Sequence, residues 1–306
     1  MLPQLPASQA SAPPCERVAD WWPRHRAIAA EHPDPIHQAI VGGFVADRVG
    51  WAFASGYQAA LRALVHDLPA DRICAFCVTE EAGNTPKAIR TTLRREGAGY
   101  RLDGSKRWTT LGPDGALFLV VARDADAAGE RPSLKVARVA SEAAGVTVET
   151  MQPTRFVPEV PHARLRFEAV HLGESALLPG DGYDQYVKRF RTVEDIHVQA
   201  AVLSYLMREA QRLAWPEGWI ERLSALLAAL SKVADMPPES AETHISLAGT
   251  LAIGAGLIGE AEAFWLKAAA DAAALRWARD RELLKVASGA REQRTRRAWE
   301  TLRRPG

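Results

Sequence analysis

In the run GYRLDGSKRWTTLG, residues 99–112, an indole and two hydroxyls occupy three consecutive positions, Trp108, Thr109 and Thr110. The run reads as strand, tight turn, strand with Asp103-Gly104 at the turn, so a hairpin delivers a large ring and two hydrogen-bonding oxygens to one spot. The competing reading is packing, since Trp108 is one of nine tryptophans. A second grouping lies in FRTVEDIHVQAA, where helical spacing sets Glu194, His197 and Val198 on one face with Asp195 beside them. Apolar neighbours there can desolvate a carboxylate and raise its pKa, while a surface acid favoured by the helix dipole is the alternative. Glu194-x-x-His197 is also a metal-ligand spacing, but it has no second copy, so no metal site is expected. Cys74-Ala-Phe-Cys77 falls on a strand, where residues three apart face opposite sides, and is read as packing. The arginine-rich end, AREQRTRRAWETLRRPG, suits the last turns of a helix and is diluted by Glu292 and Glu300, so no nucleic acid is expected.

Composition narrows the class. The 306 residues are 47% hydrophobic, enough for one large core or several smaller ones. With 38 basic against 37 acidic residues, no global field points to nucleic acid or an acidic membrane. Three cysteines make no disulfide framework, the start MLPQLPASQASAPP lacks the pattern of a signal peptide, and no apolar run is expected to reach membrane-spanning length. These features predict a cytoplasmic protein.

The elements that position these residues follow from the hydrophobic period. Residues 1–35, with seven prolines, read as a flexible arm. From 36 to 70 apolar residues three and four apart predict one or two helices, with glycines that mark breaks or close packing. Between 71 and 178 six or seven short β-rich runs lie too close together for βαβ units, which predicts an antiparallel, barrel-like β-domain. From 179 to 306 the helical period returns, broken at Pro216, Pro237 and Pro238, with a long closing run from about 243 to 302. The expected fold is α+β, mainly α: helical segment, β-domain, helical bundle.

The segment CAFCVTEEAGNTPKAIRTTLRREGAGYRLDGSKRWTTLGPDGALFLVVARD resembles the middle domain of the acyl-CoA dehydrogenase family. That family carries a TEPGAGSD-like turn followed by Y-x-L-x-G-x-K-x-W-I-T, matched here by Tyr100, Leu102, Gly104, Lys106, Trp108 and Thr110. ARLRFEAVHLGESALLPGDGYDQYV is similar to the family's entry into its C-terminal bundle. The resemblance implies FAD as cofactor and an acyl-CoA or related acyl thioester as substrate, dehydrogenated at its α,β bond as in fatty acid metabolism. It implies that Trp108 neighbours the flavin ring, that Thr79 and Thr110 donate to its polar edge, and that Phe76 lines it. A flavin is flat and apolar with a polar rim, and its electron affinity depends on donors aimed at that rim.

Three departures bear on activity. The turn TEEAGNTP keeps one glycine, Gly83, and so is less suited to close approach by a phosphate or thioester. The bundle shows neither the R-x-x-F-G nor the Q-x-x-G-G-x-G run with which the family grips the rest of FAD. The Y-E-G-T glutamate, which removes the substrate's α-proton, aligns with Ser288, whose hydroxyl cannot act as that base. Some branches place the acid on the first bundle helix instead, which implies Glu194, or Asp195 next to it. The readings are a flavoenzyme of this type acting on CH–CH groups, a catalytically silent relative that binds flavin or thioester, or an interaction module. Because the N-terminal helical region is about 50 residues shorter than usual for the family, the length scale of a helical subdomain, exposed apolar surface predicts a homodimer or hetero-complex.

Overall fold

The computed structural model describes residues 14–128 and 132–303. The chain divides into two compact units, one of helices (Met1–Ala63, Thr154–Glu159 and Thr192–Gly306) and one carrying a sheet (Leu64–Pro153 and Val160–Arg191).

The helical unit corrects the expectation of a flexible arm to residue 35. Residues 1–13 of that arm lie outside the described residues, but Val18–Glu31 forms a helix, α1, with Pro23 inside it. Proline removes one helical hydrogen bond. Offsetting this, Trp21 is buried, stacks on Trp51 at 5.7 Å and donates from Nε1 to Ser55 Oγ at 3.0 Å. Two helices follow, α2 (Pro35–Phe44) and α3 (Val49–Leu64). Asp34 caps α2 by accepting from the Ile36 N–H, with Pro35 at the first helical position.

The bundle comprises α4 (Lys188–Arg212), α5 (Glu217–Ala234), α6 (Ala241–Lys267), α7 (Ala272–Asp280) and α8 (Ser288–Leu302). Gly43 marks close packing on α4: a Cβ there would sit 2.0 Å from the Ala201 carbonyl oxygen. The expected long closing run is interrupted without proline. Asp271 caps α7 through the Ala273 N–H, and Ala287, at φ 67°, ends the turn before α8. A second expectation is overturned by α6, whose 27 residues and mean hydropathy of 1.3 over an 18-residue window are long and apolar enough to cross a membrane. Its glycines and alanines, interspersed among larger apolar residues, had masked that run.

The sheet unit has seven strands: β1 (Cys74–Cys77), β2 (Thr92–Glu96), β3 (Gly99–Thr110), β4 (Leu117–Asp124), β5 (Leu134–Ala140), β6 (Val146–Thr150) and β7 (His162–Gly173). Their order is β1-β4-β2-β3-β7-β6, with β5 paired to β4. Most pairings are antiparallel, but β4 runs parallel to both β1 and β2. Leu102, Phe118, Val120, Leu165 and Phe167 share one buried cluster under the sheet.

The hairpin turn is not at Asp103-Gly104. Strand β3 runs straight through those residues, and the turn lies at Gly97-Ala98, where Gly97 has φ 59°. Gly104 serves another purpose: at φ 142° it lets β3 approach Thr91, whose Cα would be 2.6 Å from a Cβ there, and the register with β7 shifts at this point. A composition-based reading of Asp-Gly sees a flexible pair and has no means of separating a bulge from a turn.

Candidate functional site

The indole of Trp108 owes its position to a second irregularity in β3. The register with β7 shifts between Lys106 and Thr109, and Trp108 sits in the left-handed region at φ 58°. A bulge of this kind re-aims one side chain. Lys106 and Thr109 are buried, whereas Trp108 is 45% exposed, among the most exposed large apolar side chains described. The Arg107 guanidinium lies over the ring at 5.4 Å. On β7, His162 meets the ring edge-on at 6.0 Å, and its Nε2 is 3.4 Å from Thr110 Oγ1.

Thr79 is drawn to the same end of β3, because the Arg107 N–H donates to its carbonyl at 2.8 Å. The next residue, Glu80, anchors this juncture. Its carboxylate accepts from Lys106 Nζ at 2.7 Å and from the N–H groups of Arg90 and Thr91 at 2.6 and 3.0 Å, while both side chains of the ion pair are buried. Burial pushes the Glu80 carboxyl up, but Lys106 and the hydrogen bonds outweigh it and hold the pKa below its ordinary value. The following turn closes on itself: Glu80 N–H donates to the Gly83 carbonyl and Gly83 N–H to the Glu80 carbonyl. Those N–H groups are therefore spent within the loop. Glu81 pairs with Arg107 and, at 3.6 Å, with Arg164. These residues line one side of a polar cavity of about 470 Å³ that also takes in Arg166 and Glu168.

Thr79, Trp108 and Thr110 thus lie near the C-terminal end of β3. Phe76 is buried on β1, edge-on to Phe190 at 4.9 Å. Three residues of this grouping carry no assignable role in the sequence alone. Glu80 and Lys106 were visible as letters of the turn and hairpin patterns, but nothing in one dimension pairs them. His162 carries no local signal, since only the β3–β7 register makes it the partner of Thr110 across 52 residues.

The acid candidates belong to the helical unit. Glu194 on α4 is partly buried. Asp195 is buried and held at both oxygens: Oδ1 accepts from Arg291 Nε at 2.9 Å and Nη2 at 2.7 Å, and Oδ2 from Arg294 Nη2 at 2.8 Å. A carboxylate so engaged is a strong tether of α8 to α4. Burial pushes the His197 imidazole down to about 4 despite its hydrogen bond to the Val193 carbonyl, so the ring is neutral at pH 7. Ser288 opens α8 and is exposed. Among the described residues no group of three or more His, Cys, Asp or Glu side chains is arranged to hold a metal. Cys15, Cys74 and Cys77 are all free and buried, and burial raises the Cys77 thiol to about 12.

Comparison with known proteins bears on this geometry. Residues 75–170 match the family model of the acyl-CoA dehydrogenase middle domain. Benzylmalonyl-CoA dehydrogenase of Aromatoleum aromaticum is 34% identical over 119 residues, which cover 38% of this chain and 30% of that protein. The match therefore spans less than a third of that relative's length. Among solved structures, butyryl-CoA dehydrogenase from Megasphaera elsdenii superposes with a TM-score of 0.71 over 94% of this chain and 90% of that one, at 14% identity. Glutaryl-CoA dehydrogenase from Mycobacterium smegmatis gives 0.66 over 94% and 90%, at 17%. At such identities the likeness is one of fold.

Proposed function

We propose that this chain, whose residues 75–170 match the acyl-CoA dehydrogenase middle domain, is a member of that family and an FAD-binding oxidoreductase that dehydrogenates an acyl thioester at its α,β bond. The observation that carries this reading is the exposed indole of Trp108, turned out by a strained bulge next to Thr110 and tied through Arg107 to Thr79. An apolar ring beside two hydroxyl-bearing residues fits the flat face and polar rim of a flavin. FAD, when bound, supplies the hydride acceptor. The chain's own part is to offer the Trp108 face, aim the hydroxyls of Thr79 and Thr110, and remove the substrate's α-proton, a role we assign to Glu194. Within the turn, spent N–H groups and a single glycine leave little with which to hold phosphate or thioester.

A second reading is favoured by the acid positions. Asp195 is committed to two arginines and Ser288 is exposed, so a relative that binds flavin or thioester without turnover fits the same residues. One experiment separates them: the purified protein is examined for a flavin absorption band, and acyl-CoA is added anaerobically. Bleaching supports the enzyme, a stable yellow protein supports the silent relative, and a colourless protein that takes up neither added FAD nor acyl-CoA sinks both. Trp108→Ala should lower FAD occupancy while leaving the melting temperature nearly unchanged, because the ring it removes is exposed.

We further propose a homodimer. Gly249, Ala252, Gly256, Gly259, Ala263 and Leu266 recur on α6 at alternating spacings of three and four, all exposed, with Ile253 57% exposed beside them. A Cβ on Gly249, Gly256 or Gly259 would meet nothing among the described residues, so packing there does not require these glycines. Close approach by the same helix of a second copy would. The three free thiols suit a reducing cytoplasm.

A further inference from the structure

His162 and Thr110 are cross-strand partners on β7 and β3, which places their side chains on one face of the sheet. The imidazole touches both residues that would frame the flavin: the Trp108 ring edge-on, and Thr110 Oγ1 through Nε2. We propose that His162 is a positioning residue that sets the direction of the Thr110 hydrogen bond, and so whether the site presents a donor or an acceptor to the rim of a flavin. The inference rests on the flavin reading above.

The argument follows the protons. We assign the neutral ring's single proton to Nδ1, the nitrogen that does not face Thr110. In the neutral ring the other nitrogen, Nε2, has none and must accept. The single Thr110 hydroxyl hydrogen is then given to His162, and Thr110 offers outward only lone pairs. Protonation of Nε2 reverses this: Nε2–H donates to Oγ1, and the hydroxyl hydrogen is freed to point outward.

The two states suit opposite ligands. An oxidised flavin presents ring nitrogens and carbonyl oxygens that accept, so it is favoured by the protonated pair. A ring edge with an added N–H is favoured by the neutral pair. Burial lowers the imidazole pKa, opposed in part by the Val160 bond, which makes the neutral arrangement the resting one at pH 7. The charged groups near the pair are Arg107 over Trp108, Arg164 two residues along β7 and Glu149 on β6. The two arginines share Glu81, and Glu149 pairs with Arg166. None of them is among the causes of the imidazole shift.

The test measures the dissociation constant of oxidised FAD by quenching of its fluorescence from pH 8 to pH 5, which needs no turnover. The wild-type protein should bind more tightly as pH falls, by about 3- to 10-fold, the range of one net hydrogen bond. His162→Phe keeps the edge-on contact with Trp108 and should flatten the profile. Thr110→Val removes the hydroxyl but not the histidine, and should flatten it too. A histidine that merely packs would lower affinity equally at every pH, and that result overturns the inference, as does a full pH dependence in Thr110→Val. Flavin binding with a flat wild-type profile overturns this inference alone. Absence of FAD binding at every pH overturns it together with the proposed function.

Discussion

In the sheet unit a buried carboxylate, Glu80, follows Thr79 directly, and its partner Lys106 lies two residues before Trp108. In the helical unit a buried carboxylate, Asp195, follows Glu194 directly and is held by two arginines of α8. Each candidate for chemistry therefore has a buried ionic anchor next to it in sequence, but the local geometry divides the roles differently. Along β3 the pleat and its bulge send Lys106 and Thr109 inward and Trp108 outward, so anchor and exposed indole are separated cleanly. On a helix, successive residues are turned by about 100°, so Glu194 and Asp195 share part of one face. The sheet unit thus keeps its exposed indole distinct from its scaffold, whereas in the helical unit Asp195, next to the candidate acid, is scaffold.

The sharpest way to break that contrast is at Lys106. Lys106→Met should leave Glu80 buried with backbone N–H groups alone and cost about 3–5 kcal/mol in urea unfolding, the usual penalty for removing one member of a buried pair. Adding Glu80→Gln should recover part of it. The pH dependence has a definite sign. Glu80's folded pKa lies below its unfolded one, so its contribution is complete above the ordinary carboxylate range and is lost as pH falls through the lowered value. The difference between wild type and Lys106→Met should therefore shrink on acidification. If Lys106→Met is as stable as wild type at neutral pH, the anchor is not one.

The acids of α4 give the next effect. Glu194→Gln should slow flavin reduction by acyl-CoA about 10²-fold, as for a lost general base, with little change in stability or substrate affinity. Asp195→Asn should do the reverse, loosening α8 and lowering the unfolding free energy by about 1–3 kcal/mol, since each arginine keeps partial solvent access. If Asp195→Asn instead abolishes reduction in a fully stable protein, the assignment of the two acids must be exchanged. Ser288→Glu restores a carboxylate where the resemblance expects one. From its exposed position at the start of α8 it should raise reduction only if that helix end lines the substrate's site.

What could be read in sequence follows the same division. The α+β class, the strands and the helix breaks at Pro216 and Pro237-Pro238 were legible because period and breakers are local properties. The closeness of Thr79 to the end of β3 was not, because it depends on a bond from the Arg107 N–H to the Thr79 carbonyl outside the hairpin. The helix over Val18–Glu31 was hidden by Pro23, because its stability comes from Trp21 packing on Trp51, thirty residues away. The bulges in β3 were hidden because register belongs to a pair of strands. Glu80 with Lys106, Thr110 with His162, and Asp195 with Arg291 all depend on contacts that only the folded chain makes.

The smallest effect is also the one whose sign decides a question. Gly256 is exposed on α6, and a Cβ there meets nothing among the described residues. In a monomer Gly256→Ala should stabilise the fold by about 0.5–1 kcal/mol, because alanine gives up less backbone entropy than glycine and has the higher helix propensity. If a second α6 packs along the seam from Gly249 to Leu266, the added methyl intrudes on the closest approach. Sedimentation should then show a weaker dimer even as the isolated subunit becomes more stable. Ile253→Arg, beside the seam, should separate the copies without touching the core, since Ile253 is 57% exposed. A chain that sediments as a monomer at micromolar concentration, and that gains stability from Gly256→Ala with no change in association, would mean that the glycines of α6 face solvent.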